Sequence, residues 1–284
     1  MVGEVSIGTI LYKSYDLKTT LQSLKRCGVR YVDLDFLGHL SSQGETHLVH
    51  ISEKDLDRPQ EIKKMLDDFG LQSVTFSGHE DLSEEDNLEI FFKKMEFAKI
   101  LGAKFIGAFS GSEFKKAEFF RNTELVAKKA EEVGITVSIE TETRGDLLPT
   151  GTKAGEIIRT IGSPFIKFCY DFGNIYFVNQ GRVDLLTDFE QSVEYVNNIH
   201  FKDPLIDGEG ALTYGAIGSG LFNFKEIITL LGRYNRYFPV TIEIPYFHKS
   251  KNWEPFQVSH QVKSLEEIEE MVIQSLNFIS ALKA

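Results

Sequence analysis

Eight short apolar segments rich in β-branched residues recur along the 284-residue chain, and they constrain its fold more than any other feature. Seven of them are followed by a stretch with helical periodicity before the next begins, and the eighth by a terminal helix. Strands that alternate with helices pair in parallel through right-handed crossovers. The segments cover residues 5–11, 29–36, 71–77, 104–109, 135–140, 165–171, 196–202 and 239–244.

Several of these segments are apolar at most positions, as in AKFIGAF at 103–109 and FPVTIEI at 238–244. A parallel sheet of this kind is covered by helices on both faces. Eight strand–helix units therefore predict a closed (β/α)8 barrel, the TIM barrel. An open doubly wound sheet is the alternative, and it would leave edge strands to protect. No Gly/Pro/Ser-rich linker divides the chain, so residues 1–284 are predicted to form one domain.

Glycines mark the predicted helix ends, because glycine adopts the left-handed conformation that follows a last helical turn. The first four predicted helices stop at Gly28, Gly70, Gly102 and Gly134. The second is predicted to start at Ser52, where Ser-Glu-Lys-Asp resembles a helix start. Further helices are predicted near 152–161, 184–195, 223–233 and 264–282.

The composition of the chain limits the classes of function that it can have. The formal net charge of −11 repels a phosphate backbone, so nucleic acid is not expected as a partner. No apolar run is long enough to span a bilayer and no secretion signal is visible, so no membrane association is expected. Cys27 and Cys169 both lie in apolar patterns, which favours buried thiols and a cytoplasmic location over a disulfide. A small polar molecule is the expected partner.

Four potential metal ligands each close one of the last four strand segments: Glu140, Asp171, His200 and Glu243. Active sites of such barrels form at the carboxyl ends of the strands. A single carboxylate there is more often a helix cap or a salt-bridge partner, but four compatible ligands on successive strands favour a metal site, since unpaired buried charges are costly. Carboxylates and imidazole suit one divalent ion, with Mn²⁺ expected first and Co²⁺, Mg²⁺ or Zn²⁺ as alternatives.

Glu140 and Glu243 are the predicted catalytic pair. Two carboxylates beside a metal-bound hydroxyketone can act as base and acid, while the cation stabilises negative charge on the substrate oxygens. Two carboxylates with a divalent cation suit the isomerisation or epimerisation of a sugar.

Further motifs surround these residues: VRYVDL at 29–34, AKILGA at 98–103, His200-Phe201-Lys202-Asp203 and Gly218-Ser219-Gly220. Together with the ordered Glu, Asp, His and Glu set, they make most of the chain resemble the xylose isomerase-like TIM barrels, a family of sugar isomerases and epimerases. The resemblance implies that the four ligands hold one divalent ion, that the two glutamates exchange the proton, and that the substrate is a ketose or sugar phosphate.

The resemblance also implies three substrate-binding residues. Lys202 would contact a substrate oxygen, and a surface salt bridge with Asp203 is the alternative. His79 matches a substrate-facing position, and a loop histidine without a role is the alternative. Asn174 stands where many members of the family carry a histidine, and that departure leaves the identity of the sugar open.

The sequence is compatible with other functions. The same site could eliminate water from a cyclic hydroxyketone, as inosose or dehydroshikimate dehydratases do, or the barrel could bind a sugar without catalysis. DNA repair of the endonuclease IV kind needs more histidines at strand ends than this chain has. The aromatic-rich segment 245–262 could close over a sugar or pack on a second subunit, so a homo-oligomer stays open.

Overall fold

The computed structural model describes residues 1–36, 50–143 and 147–283, and in them eight parallel strands close into a barrel. The last barrel strand, Phe238–Ile242, pairs with both the preceding strand, Val196–Phe201, and the first, Val2–Gly8, so the barrel closes in chain order. The predicted (β/α)8 barrel is therefore confirmed, and the open sheet is wrong. The strands are β1 Val2–Gly8, β2 Tyr31–Asp35, β3 Gln72–Asp81, β4 Phe105–Phe109, β5 Thr136–Glu140, β6 Ile166–Asp171, β7 Val196–Phe201 and β8 Phe238–Ile242.

Helices cover the outside of the barrel and bury one apolar face each against it. Helices two to four end at Gly70, Gly102 and Gly134 as predicted, and Gly102 adopts a φ of +95° there. The helices are α1 Leu17–Arg26, α2 Pro59–Phe69, α3 Leu88–Leu101, α4 Lys116–Val133, α5 Gly151–Ile161, α6 Phe172–Val178, α7 Leu185–Ser192, α8 Phe224–Gly232 and α9 Leu265–Lys283.

Two of the predicted boundaries that the structure contradicts have a clear physical cause. The first strand ends at Gly8, and Thr9–Tyr12 form a short 3₁₀ helix because the Ile10 N–H donates to the Asp35 carboxylate instead of continuing the sheet. The helix start predicted at Ser52 forms only the short turn Glu53–Asp55, and α2 begins at Pro59. Proline suits a first helical position, where its missing N–H needs no partner.

Three short elements have no counterpart in the sequence predictions. Helix α6 follows β6 without a loop, with Asp171 as its N-cap. A hairpin pairs Asp203–Ile206 with Leu212–Gly215, and a second small sheet pairs His248–Lys249 with Gln257–Val258. These elements are too short to show a period in the sequence.

A bulge interrupts β3 at the rim of the barrel. Ser77 pairs with Gly107 but Glu80 pairs with Ala108, so Gly78 and His79 are left out of register. Glycine is required at position 78, because a Cβ there would lie 2.7 Å from the Gly107 carbonyl oxygen. Bulges of this kind re-aim a side chain, and here the side chain is His79.

Lys94 of α3 contacts two residues of this bulge region and stabilises it. Its Nζ donates to the Gly78 carbonyl oxygen at 2.7 Å, forms an ion pair with Glu80, and lies 3.6 Å from the centre of the Phe36 ring. Only 1% of Lys94 is exposed, so the pair is isolated from water. Removing one partner of such a pair leaves the other charge buried and uncompensated.

We therefore expect Lys94→Met to lower the free energy of unfolding by roughly 3–5 kcal/mol. Lys93→Met is the matched control, because Lys93 is the adjacent residue, is exposed and pairs with Glu89 on the helix surface. Urea denaturation monitored by circular dichroism measures both. Equal transition midpoints for the two variants would show that the buried pair does not stabilise the bulge.

Candidate metal centre

The structure brings the four predicted ligands together at the carboxyl end of the barrel. Glu140 and Asp171 are the last residues of β5 and β6, His200 lies near the end of β7, and Glu243 directly follows β8. Each offers one ligand atom, and these atoms all lie within 4.8 Å of one another. All four side chains are buried.

The imidazole of His200 lies at the middle of this cluster. Its Nδ1 is 3.3 Å from Glu140 Oε2, 3.4 Å from Glu243 Oε1 and 3.7 Å from Asp171 Oδ2. His200 Nδ1 and Glu243 Oε1 are both buried and have no hydrogen-bond partner among the described residues. Unsatisfied buried polar atoms are costly, and a cation between them would satisfy both. The residues therefore fit a divalent ion.

Lys202 reaches into the same cluster. Its Nζ lies 2.5 Å from Asp171 Oδ2, 2.7 Å from Glu243 Oε2 and 3.6 Å from Glu140 Oε1. The alternative of a surface salt bridge with Asp203 is wrong. The Asp203 carboxylate instead accepts hydrogen bonds from the backbone N–H groups that follow the hairpin, those of Gly218, Gly220 and Phe222.

Asn174, in the first turn of α6, orients two of the carboxylates. Its side-chain Nδ2 donates to Glu140 Oε1 and to the Thr141 carbonyl oxygen, both at 2.9 Å. Its backbone N–H donates to Asp171 Oδ1, also at 2.9 Å. Asn174 therefore fixes Glu140 and Asp171 relative to each other, and its contact with a substrate stays a prediction.

Burial, His200 and Lys202 together shift the pKa values of Glu140 and Glu243 in opposite directions. Burial raises the pKa of Glu140 to about 7, against the opposing effect of His200 and Lys202. Burial also acts to raise the pKa of Glu243, but His200 and Lys202 outweigh it and the pKa is lowered. The pKa of Lys202 is raised well above its usual value, because Asp171, Glu243 and Glu140 outweigh its burial. Lys202 is thus a permanent cation.

Cys169 lies close enough to Glu140 and His200 to form a further group of ligand type. Burial raises the pKa of its thiol to about 12, and Asn198 Nδ2 donates to its sulfur at 3.3 Å. A thiol ligates metals as the thiolate. Cys169 is a buried thiol, as the sequence predicted, and carboxylates with imidazole remain the predicted donor set.

A cavity of about 410 Å³ opens above the cluster. Lys202, Asn174, Glu140 and Glu243 lie at its base, and the walls carry the aromatic rings of Phe36, Phe109, Tyr214 and Phe256 together with His79, Asp81, Glu142 and His248. A polar base with aromatic walls suits a small polyol.

His79 is presented to this cavity by the bulge in β3. Its backbone has a φ of +52°, which a non-glycine residue rarely adopts, and its ring stacks on Phe109 with centroids 5.2 Å apart. Burial lowers the pKa of His79 to about 4, so the imidazole is neutral at neutral pH. His79 therefore lines the cavity, and its contact with a substrate stays a prediction.

The aromatic segment 245–262 packs within the chain over one side of the cavity. Phe256 stacks on Phe177 with centroids 4.0 Å apart and on His248 at 5.4 Å. Trp253 lies against Tyr176, and Tyr214 of the hairpin completes this cluster. The segment is a wall of the cavity, and its role in subunit contact stays a prediction.

Sequence reasoning missed Asp35, the last residue of β2. Its Oδ1 is buried without a hydrogen-bond partner among the described residues and lies 3.8 Å from His79 Nδ1. Asp35, His79 and Glu243 have ligand atoms within 4.8 Å of one another. Burial raises the pKa of Asp35 well above its usual value, and Glu243 and Asp33 add to the effect. Its position in the sequence could have identified it as a candidate site residue, because Asp35 closes an apolar strand as Glu140 does.

None of the helices in the described ranges combines the length and the apolarity that a membrane span requires.

Several solved structures share this fold at low sequence identity. A 3-keto-D-glucoside 4-epimerase from E. coli is 13% identical, with 98% of this chain and 99% of that chain covered and a TM-score of 0.70. A D-psicose 3-epimerase solved in the presence of D-fructose is 15% identical, with 99% of both chains covered and a TM-score of 0.72. The IolI protein with a zinc atom is also 15% identical, with 99% and 98% covered and a TM-score of 0.71.

No curated protein matches the chain at a significant level. The family model described as the xylose isomerase-like TIM barrel matches residues 21–277. That range contains all four clustered ligands and seven of the eight barrel strands, and it covers most of the chain. The protein therefore belongs to the xylose isomerase-like TIM barrel family.

Proposed function

We propose that the protein is a divalent-metal-dependent isomerase or epimerase of a sugar. The observation that carries this proposal is the convergence of three carboxylates and one imidazole on a common point at the base of a sugar-sized cavity. Two atoms of that cluster, His200 Nδ1 and Glu243 Oε1, lack any other partner among the described residues. Two proteins with similar structures are sugar epimerases, and they support the same class of substrate.

Glu140, Asp171, His200 and Glu243 would hold the ion, for which their oxygen and nitrogen donors suit Mn²⁺ first and Co²⁺, Mg²⁺ or Zn²⁺ next. When bound, it would withdraw electrons from the substrate carbonyl and so acidify the neighbouring C–H bond. The zinc atom of the IolI structure supports a metal in a barrel of this kind.

Glu140 and Glu243 would move the proton. Their carboxylates flank His200 Nδ1 at 3.3 and 3.4 Å, and both line the cavity. One would take the proton from the carbon next to the substrate carbonyl, and the other would return a proton. Return to the opposite face of the same carbon epimerises a sugar. Return to the former carbonyl carbon isomerises it, provided that the hydroxyl proton of the neighbouring carbon moves to the former carbonyl oxygen. Asn174 would keep Glu140 in position through its 2.9 Å hydrogen bond.

Lys202, His79 and Asn174 would contact the sugar, since all three line the cavity. Lys202 is the only lysine or arginine among the cavity residues that the structure describes, and it already contacts Asp171 and Glu243. Asp81 and Glu142 add negative charge to the walls of the same cavity. Because this surface would repel a phosphate group, we favour an unphosphorylated sugar over a sugar phosphate.

The first test is to replace each glutamate by glutamine and to incubate the protein with a panel of ketoses in D₂O. We expect Glu140→Gln and Glu243→Gln to lower kcat by about 10²–10⁴-fold, the usual contribution of a positioned acid or base, with much smaller changes in substrate binding. Glu156→Gln on the exposed face of α5 is the control, and it should keep the wild-type rate.

Deuterium that appears at the carbon next to the carbonyl identifies proton exchange there, and a UV-absorbing enone would instead identify elimination of water. The proton-transfer proposal fails if neither glutamate substitution changes any conversion that the wild-type protein performs.

A second test concerns Lys202, whose ammonium contacts oxygens of two predicted ligands, Asp171 and Glu243. A divalent ion must compete with this positive charge, so we expect Lys202→Met to bind Mn²⁺ more tightly, on the order of tenfold or about 1.4 kcal/mol. The metal-free variant should be less stable to heat than the metal-free wild type, because three buried carboxylates lose their cation. Lys249→Met, which removes a lysine paired with Asp207, is the control.

Isothermal titration calorimetry with Mn²⁺ and thermal unfolding with and without a chelator measure these two effects. An unchanged or weaker Mn²⁺ affinity in Lys202→Met would contradict the competition.

A further inference from the structure

We propose that Asp35, His79 and Glu243 form a second divalent-cation site beside the first, with Glu243 shared between the two. The inference rests on the proposed metal centre through Glu243, and it adds a binding site made of residues from the opposite part of the rim. Asp35 ends β2, His79 lies on the bulge of β3, and Glu243 follows β8. Their ligand atoms lie within 4.8 Å of one another.

Asp35 carries a fixed carboxylate with one unused oxygen. The other oxygen, Oδ2, accepts a hydrogen bond from the Ile10 N–H at 2.5 Å and a longer one from the Thr9 hydroxyl at 3.4 Å. Its Oδ1 is buried and has no partner among the described residues. The side chain is therefore held in place by one oxygen while the other remains available to a ligand.

The gap between Asp35 and His79 has the size that a cation requires. Asp35 Oδ1 and His79 Nδ1 are 3.8 Å apart, which is too long for a hydrogen bond. Two ligands that each lie about 2.1 Å from one ion are roughly 3–4 Å from each other. The separation thus fits two ligands of one cation better than a direct contact.

The backbone conformation around His79 holds its imidazole in a defined position. The bulge at Gly78 and His79, the positive φ of His79 and the buried Lys94–Glu80 pair behind it all act at the same place. Strained residues and bulges concentrate where a side chain must be held in a defined position for function.

A second cation would also offset the charge of the buried Asp35 carboxylate. Lys202 and one divalent ion would together neutralise Glu140, Asp171 and Glu243. Asp33, deeper in the barrel, accepts hydrogen bonds from the hydroxyl groups of Thr75, Ser77 and Thr241. In the described part of the chain, no lysine or arginine forms an ion pair with Asp35. A second divalent ion would offset the charge of Asp35 and bind a hydroxyl oxygen of the sugar beside His79.

The decisive measurement is a titration of the metal-free wild-type protein with Mn²⁺, by calorimetry and by low-temperature electron paramagnetic resonance. We expect two equivalents per chain and the spectrum of an exchange-coupled pair, because the shared Glu243 carboxylate would join the two ions. A single equivalent with the spectrum of an isolated ion overturns the second site and leaves the first intact. Binding of no Mn²⁺ overturns both the second site and the metal-dependent function.

Variants identify the ligands. Asp35→Asn and His79→Gln should each bind the second Mn²⁺ equivalent more weakly, by at least ~10–100-fold. That is the loss caused by removing a residue that only supports a metal ligand. Each variant should also lose the spectrum of the coupled pair. Asp188→Asn is the control, since Asp188 is also buried but its carboxylate accepts hydrogen bonds from the backbone of Gly151 and Thr152. Two equivalents with wild-type affinity in both Asp35→Asn and His79→Gln would overturn the assignment.

Discussion

The rim of the barrel depends on keeping several negative charges close together and away from water. Glu140, Asp171 and Glu243 are buried around His200, and within the described residues Lys202 is the one lysine that reaches all three. Isolated buried carboxylates are expensive, so this arrangement is stable only with compensating positive charge. The lysine provides part of it, and the geometry leaves room for a cation that provides the rest. The surrounding hydrogen bonds, above all those of Asn174, hold the carboxylates in place against their mutual repulsion.

The barrel and its four clustered residues could be predicted from the sequence because both depend on regular spacing. Parallel strands buried on both faces read as short apolar runs, and the alternation with helices fixes their direction. Once all strands point the same way, a residue that closes one run must lie near a residue that closes the next. Glu140, Asp171, His200 and Glu243 follow this rule, and their ligand atoms do converge.

Other parts of the site could not be predicted, since they depend on departures from that regularity. The strand boundary at Gly8 is set by a hydrogen bond from Ile10 to Asp35, two residues far apart in the sequence. The position of His79 depends on a bulge that only the pairing with β4 reveals. The sequence left a surface salt bridge between Lys202 and Asp203 open as an alternative, but the turn at Gly218–Phe222 satisfies that aspartate and Lys202 turns inward. Each of these outcomes is decided by tertiary contacts.

The two residues of the β3 bulge also suggest how such a barrel could acquire a different specificity. Gly78 and His79 are extra to the pairing with β4, so a chain without them could keep Ser77 opposite Gly107 and continue directly with Glu80 opposite Ala108. The strands, their order and the barrel closure would be unchanged, but no imidazole would be delivered to the mouth from this side. Insertion or deletion of a dipeptide at one strand end would therefore be an economical evolutionary route between related barrels with different substrates.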